Sequence, residues 1–218
     1  MPPGSQREHE SSDGRATVSR AVSSVLDRPS ASALLFLGSL LLIGLLDLCA
    51  AMRPWSVPVI GLLDEPAHVL TAVLLLAALL PLSATAVVPW ALAGAVLIDL
   101  DHIPLYFWGA LASDGSGRPV THSAATVVVL ACAGAASRRG LRRALLGLSL
   151  GVALHLVRDL GTGPGIPLWW PIGQHSVLIP YQVYVATMVV VAGIAAGRWY
   201  RRRPAVRAGD RTAVSRRA

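Results

Sequence analysis

The sequence predicts an all-α, polytopic membrane protein with about six transmembrane helices. Hydrophobic residues make up 54% of its 218 residues and charged residues only 14%, whereas charged residues approach about a quarter of an ordinary soluble domain. The mean hydropathy is +0.58. All 19 basic residues are Arg, and they cluster at the ends of apolar runs and in the tails. This placement favours membrane lipids, and not nucleic acid, as the partner of the basic residues.

The chain begins with a polar leader and a first apolar run. Residues 1–30 are rich in Ser, Arg and acidic side chains and contain too little apolar surface to fold alone, so we expect a disordered tail. Residues 32–52 form an apolar run of about the 20 residues that cross a bilayer as a helix. Asp47 lies near the end of this span, and an interfacial Trp55 follows in a short loop.

The next apolar run is too long for one helix. No formally charged side chain occurs from His68 to Ile98, and one helix of that length would measure roughly 45 Å, against ~30 Å for the hydrocarbon core. Pro81 and Pro89 interrupt the run, so we predict two helices there. The predicted spans after the first are residues 65–82, 86–101, 121–137, 142–159 and 177–197, which gives a six-helix membrane domain over 31–198 and a basic tail over 199–218.

The distribution of arginine sets the direction of these spans. Arg residues concentrate in the N-terminal tail, in the 137–143 loop between the fourth and fifth spans, and after the sixth span. The positive-inside rule places all three segments in the cytoplasm, which requires an even number of spans. We therefore expect a multi-pass protein of the inner (plasma) membrane with both termini in the cytoplasm.

Polar residues collect at the ends of the spans that face away from the cytoplasm. The predicted topology places five of the six histidines at this one end of the bundle. They are His68, His102, His122, His155 and His175. Ionisable residues are costly in a membrane-spanning bundle and usually serve a function there. The sequence therefore predicts a polar site at the extracytoplasmic membrane surface.

The spacing of these residues indicates a metal site. Asp99 and His102 are three residues apart, and His155 and Asp159 are four apart, so the members of each pair share a helix face. His68 has acidic residues three and four positions before it. Mixed imidazole and carboxylate ligands suit Zn, Mn or Fe. The number of candidate ligands allows one or two divalent metal ions per chain.

Simpler interpretations of single residues stay open. Asp64 and Glu65 suit the cap and first turn of a helix, where the helix dipole favours acids. Arg118 suits a side chain that anchors the chain at the membrane surface. His175, in a loop before the sixth span, is more readily a loop residue than a ligand.

Three motifs, in sequence order, resemble those of a known family. They are residues 97–104 with Asp99, Asp101 and His102; residues 118–123 with Arg118 and His122; and residues 155–171, in which His155 and Asp159 precede a Gly- and Pro-rich stretch ending in Trp-Trp-Pro. Over about residues 60–180 the chain resembles the YdjM/YbcI-type bacterial inner-membrane family, described as membrane-bound metal-dependent hydrolases.

The resemblance implies a set of metal ligands. These are Asp99, Asp101, His102, His122, His155 and Asp159. Where the family has a His-Arg pair, this chain has Gly117-Arg118, which leaves His68 or His175 to replace the missing histidine. We count His68 among the expected ligands because it also shares a helix face with an acidic residue.

We interpret the chain as a membrane-embedded metal-dependent hydrolase that acts on a phosphoester or lipid-like small molecule at the extracytoplasmic face. Asp101 or Asp159 would bind the metal or act as a general base, while Arg118 and Arg158 would hold an anionic group. Two alternatives stay open. One is a metal or proton transporter, and the other is a non-catalytic protein in which a metal only joins helix ends.

Overall fold

The computed structural model describes residues 29–52, 54–103, 118–173 and 175–215. Within them the chain forms six α-helices and no β-strand. The helices are α1 (Pro29–Ala51), α2 (Val57–Leu79), α3 (Val88–Leu97), α4 (Ala124–Ala136), α5 (Arg139–Asp159) and α6 (Tyr181–Ser215). Two 3-10 helices flank α3, Leu82–Val87 before it and Ile98–Asp101 after it. The predicted disordered tail lies outside the described residues except at positions 29 and 30, which begin α1.

The chain divides into two compact units. Residues 39–195 form the larger unit, which contains most of α1, all of α2 to α5 and the first part of α6. The other unit comprises residues 1–38 and 196–218, and its described part consists of the first turns of α1 and the last turns of α6. All residues of the candidate site belong to the larger unit.

The helices have the length and composition of membrane spans. Among the described residues, five stretches are long and apolar enough to cross a bilayer. They lie in α1, α2, α5 and α6 and in the segment Ala84–Asp101, which contains α3. The predicted all-α membrane bundle is therefore confirmed. The sixth helix, α4, has 13 residues and is roughly 20 Å long. It begins at Ala124 and not at residue 121, because the preceding residues form a turn in which His122 N–H donates to the Pro119 carbonyl.

The largest differences from the predicted bounds are in α2 and α6. α2 begins at Val57 and not at residue 65, because a Pro in its first turn loses no helical hydrogen bond there. Asp64 and Glu65 therefore lie inside the helix, and their interpretation as acids of the cap and first turn is wrong. α6 continues to Ser215 instead of ending at residue 197.

Close contact between α3 and α5 depends on glycine. A Cβ at Gly151 would collide with the carbonyl oxygen of Ala91, and one at Gly147 would collide with Cβ of Trp90. Small residues at a helix interface let two backbones approach closely within a membrane. The close approach brings the C-terminal end of α3, followed by Asp99, beside the C-terminal end of α5.

We expect Gly151→Leu to destabilise the protein by about 1–3 kcal/mol or more, because the new side chain would meet backbone that cannot move aside. Thermal unfolding in detergent measures the effect. Gly140→Leu is a matched control on the same helix, since a Cβ at Gly140 would meet no atom within 4 Å. Equal melting temperatures for the two variants would contradict the close packing of α3 against α5.

The connection between α5 and α6 packs onto the same end of the bundle. Ile166 pairs with Val177 through two backbone hydrogen bonds and is buried against Val152 of α5. The carbonyl of Leu168 accepts a hydrogen bond from the amide of Ala124, at 2.9 Å. This bond fixes the start of α4, and with it the turn that carries His122.

Candidate metal centre

The last turn of α5 supplies two buried ligand candidates, His155 and Asp159. The Nδ1–H of His155 donates to the carbonyl oxygen of Ala95 at 2.7 Å, which in a neutral imidazole leaves the lone pair on Nε2. This Nε2 lies 3.1 Å from Oδ2 of Asp159 and 3.3 Å from Oδ1 of Asp99. A lone pair there would face two carboxylates, and a proton or a metal ion between these groups removes the repulsion.

Asp159 is the point where the candidate ligands meet. Its Oδ1 lies 3.5 Å from Nε2 of His68, and its Oδ2 lies 3.5 Å from Nε2 of His122. Arg118 binds both oxygens through its terminal nitrogens, at 2.9 and 3.2 Å. Gly163 makes room for that guanidinium, since it has a φ of 67° and a Cβ there would lie 2.9 Å from Nη2 of Arg118. A carboxylate with no solvent exposure requires such compensation, because taking a charge out of water is costly.

His68 of α2 completes a buried group of three. Its ring stacks on that of His155, with centroids 3.7 Å apart and planes 6° apart. Both ring nitrogens of His68 are buried, and neither has a hydrogen-bond partner among the described residues. Buried polar atoms without such partners are rare, and they occur where a catalytic group, a water or an ion has its place. Ligand atoms of His68, His155 and Asp159 lie within 4.8 Å of one another, so one ion can reach all three.

A second group lies where α3 ends. Asp99 and Asp101 belong to the 3-10 helix after α3, His102 follows directly, and His122 precedes α4. The Nε2 of His122 lies 3.0 Å from Oδ1 of Asp99, and its Nδ1 lies 3.1 Å from Oδ2 of Asp101. The Nδ1 of His102 lies 3.0 Å from Oδ1 of Asp101. Ligand atoms of these four residues also lie within 4.8 Å of one another.

The surroundings of His122 favour positive charge. Burial alone would lower the pKa of this imidazole, but hydrogen bonds to Asp101 and Asp99 outweigh burial and raise the pKa. Asp99 contacts both His122 and His155 through the same oxygen, at 3.0 and 3.3 Å. The two groups are thus neighbours that share carboxylates, so these residues could hold one or two divalent ions.

The structure brings together all seven residues predicted as metal ligands. One group contains Asp99, Asp101, His102 and His122, and the other contains His68, His155 and Asp159. The donor set of imidazoles and carboxylates fits a divalent ion. His175, the substitute considered besides His68, is exposed. Metal binding by these residues stays a prediction.

A family model covers the part of the chain that carries both groups. The model described as YdjM inner membrane protein matches residues 63–214, which is more than half of the chain. This chain belongs to the YdjM inner membrane protein family. No curated protein and no solved structure matches it. Together with the apolar helices, the YdjM assignment identifies a membrane protein. Helix α1, which carries Asp47, precedes the matched residues.

A further polar cluster, centred on Arg158, adjoins the two groups of candidate ligands in this YdjM-family chain. Arg158 is buried and donates to Oδ1 of Asp64 at 2.7 Å and to Oδ1 of Asp47 at 2.6 Å. It also donates to the hydroxyl of Tyr184 at 3.3 Å, while the hydroxyl of Tyr181 donates to Asp47 at 2.7 Å. The guanidinium thus joins α1 and α2 to α5. A contact between Arg158 and an anionic substrate stays a prediction.

A cavity of about 1270 Å³ opens onto the candidate ligands. Asp99, His102 and Arg118 line it, and so does Glu65. The sequence interpretation left Glu65 outside the candidate site, although its spacing from His68 was the available signal. The sequence pattern predicts that α2 starts at residue 65, and the helix dipole alone accounts for an acid in a first turn. This explanation hid the functional signal of Glu65. Glu65 Oε2 is buried and has no hydrogen-bond partner among the described residues.

We expect Thr121→Val to weaken metal binding roughly 10- to 100-fold, the usual effect of losing a hydrogen bond that orients a ligand. The hydroxyl of Thr121 donates to Oδ2 of Asp101. Because Thr and Val have nearly the same shape, the change removes the bond and preserves the volume. Titration of the metal-free protein with Zn²⁺ or Mn²⁺ measures the affinity. An unchanged affinity would contradict the placement of Asp101 in the site.

Proposed function

We propose that this protein is a membrane-embedded metal-dependent hydrolase that cleaves a phosphoester at the extracytoplasmic membrane surface, with both termini in the cytoplasm. One observation carries the proposal: four histidines and three aspartates meet beside a cavity large enough for a substrate. Pockets that hold small molecules have volumes of about 300–1,000 Å³. The position of the site at the helix ends also favours a reaction at the membrane surface.

The metal would be Zn, Mn or Fe, with one or two ions per chain. Its ligands would be Asp99, Asp101, His102, His122, His155, Asp159 and His68. When bound, a divalent cation supplies a Lewis acid that polarises the phosphoryl group and makes water acidic enough to react near neutral pH. The carboxylates present here would offset the charge of such a cation.

Glu65 is the carboxyl that we propose for proton transfer. Asp101 and Asp159 were the sequence-based candidates, but their oxygens already contact histidine side chains and, for Asp159, Arg118. Glu65 faces the cavity. In the reaction the oxygen of water bonds to phosphorus, and the P–O bond to the leaving alcohol breaks. Glu65 accepts one proton of the water and passes it to the leaving oxygen, so that an alcohol and a phosphate are the products and Glu65 is again ionised.

Arg118 would bind the phosphoryl oxygens of the substrate. Its guanidinium lines the cavity while two of its nitrogens contact Asp159. An Arg side chain presents its N–H donors in a planar fork, which matches the oxygens of a phosphate. Charge-assisted hydrogen bonds from Arg to phosphate are strong and directional.

The candidate ligands belong to several different helices, which favours a second interpretation, a metal with a structural role. They come from α2, α5, the 3-10 helix after α3 and the turn before α4, so a metal could also join these elements without catalysing a reaction. A structural metal would contribute to folding directly. Turnover separates the two interpretations, since a metal that only joins helices needs no proton acceptor beside it.

The test compares metal content and turnover in purified full-length protein. We expect near-stoichiometric Zn, Mn or Fe in the wild type and its loss in a His122→Ala, His155→Ala double variant. Glu65→Gln should keep the metal and lose turnover of p-nitrophenyl phosphate by about 10²- to 10⁴-fold. No metal after reconstitution would overturn the proposal. Bound metal without turnover of any phosphoester would favour the structural interpretation, and metal flux into proteoliposomes would favour a transporter.

A further inference from the structure

The cavity has a polar end and an apolar side. Asp99 and His102 lie at the polar end, whereas the apolar side is formed by small and aliphatic residues of two neighbouring helices. These residues are Gly44, Leu48 and Ala51 of α1 and Ile60 and Gly61 of α2. A soluble phosphoester would use only the polar end. The apolar side therefore requires its own explanation.

The apolar side opens laterally, between α1 and α2. Leu48 and Ile60 line the cavity, yet 61% of Leu48 and 42% of Ile60 are exposed. Within residues 39–51 of α1, Ile43 is the one buried residue. A Cβ at Gly44 or at Gly61 would meet no atom within 4 Å. The two helices thus leave a gap between them where glycine replaces a side chain.

The gap lies between two helices that are long and apolar enough to cross a membrane, since Gly44 belongs to the stretch Ala33–Ala51 and Gly61 to the stretch Val59–Leu79. Gly44 is seven residues before the end of α1 at Ala51, which corresponds to about 10 Å along the helix. Asp47 and Asp64 also line the cavity, and both are paired with Arg158. A lipid chain is the natural occupant of the part of the gap that Gly44, Leu48 and Ile60 line. Asp99 lines the same cavity.

We propose that the substrate is a phospholipid, which enters sideways from the bilayer with an acyl chain between α1 and α2 and its phosphoester at the metal ligands. This inference rests on the proposed hydrolase function and names its substrate class. Arg118, at the polar end, supplies the positive charge that a lipid phosphate needs. Water cleaves the P–O bond as above, and the lipid alcohol leaves with the proton.

The direct test is a Gly44→Leu, Gly61→Leu double variant, called the filled variant. Its two leucine side chains extend into the gap and do not collide with other atoms of the protein. The matched control is Gly38→Leu with Gly193→Leu, since a Cβ at either position also meets no atom within 4 Å and neither residue lines the cavity. The wild type, the filled variant and the control double variant are each reconstituted in nanodiscs with the metal bound. Metal content and monodispersity report whether each variant is folded.

Two probes are used, phosphatidic acid with two sixteen-carbon chains and its water-soluble analogue with two four-carbon chains. We expect turnover of the long-chain lipid to fall at least about tenfold in the filled variant, because the leucine side chains prevent the acyl chain from burying its methylene groups in the gap. Turnover of the short-chain analogue should change less than about twofold, because it uses only the polar end. The control pair should match the wild type on both. Long-chain turnover at the wild-type rate in the filled variant would overturn the inference.

Photo-crosslinking makes the outcome independent of turnover. Phosphatidic acid with a diazirine on its acyl chain should label α1 and α2 in the wild type and the control, and this labelling should disappear in the filled variant. Labelling elsewhere, unchanged by the two leucines, would overturn the lipid site. Failure of the hydrolase function is recognised separately, as metal-loaded protein that is labelled on α1 and α2 but hydrolyses neither probe nor p-nitrophenyl phosphate.

Discussion

Asp159→Asn is expected to empty the metal site and abolish hydrolysis. Asp159 is fully buried, and its two oxygens contact His68, His122, His155 and Arg118. The substitution keeps the shape of the side chain and removes one negative charge from among the ligands. The loss of metal affinity should exceed the roughly 10- to 100-fold that follows from removing a residue that only orients a ligand.

Thr121→Val is the natural comparison for Asp159→Asn. Both changes preserve side-chain volume, but Thr121 contacts a ligand while Asp159 is proposed as one. Elemental analysis and a Zn²⁺ titration of both variants should therefore give a graded result. An Asp159→Asn protein that bound metal as tightly as the wild type would show that the buried groups form a hydrogen-bonded network and not a metal centre.

The convergence of the ligand candidates could be predicted from the sequence because topology alone determines it. Counting spans and arginines places the ends of α3 and α5 and the starts of α2 and α4 at one end of the bundle. Motif spacing then selects pairs such as His155 and Asp159. Neither argument needs the exact bounds of a helix, so the wrong starting residue of α2 did not affect the predicted ligand set.

Contacts between distant segments could not be predicted in this way. The stacking of His68 on His155 depends on how closely α2 approaches α5, and a hydropathy pattern has no information on that distance. The same applies to the collision of a Cβ at Gly151 with Ala91, which sets the spacing of α3 and α5. Sequence patterns assign residues to an end of the bundle, and side-chain packing decides which of them touch.

The role of Arg158 shows the limit most clearly. Beside Asp159 in the sequence, its charge suggested an anionic substrate as the partner. In the structure the adjacent residues face different clusters: Asp159 contacts the candidate ligand His155, and Arg158 contacts Asp47 and Asp64. Residues one apart on a helix do not share a face. The spacing therefore separates the two roles, although it could not name the carboxylates.

Arg158→Met should destabilise the protein by about 3–5 kcal/mol, because it leaves two carboxylates in a partly buried site without their cation. The side chain of Arg158 is 3% exposed, against 12% for Asp47 and 29% for Asp64. Thermal unfolding in detergent measures the loss. Arg143→Met is the matched control, since Arg143 is exposed on α5 and single surface substitutions usually change stability by less than about 0.5 kcal/mol.

A triple variant tests the cause. Adding Asp47→Asn and Asp64→Asn to Arg158→Met removes the uncompensated charges, so part of the lost stability should return, as expected for residues that interact directly. If Arg158 instead served only to bind an anionic substrate, Arg158→Met would raise KM and leave the unfolding temperature unchanged. The two roles thus give opposite results in two measurements on one variant.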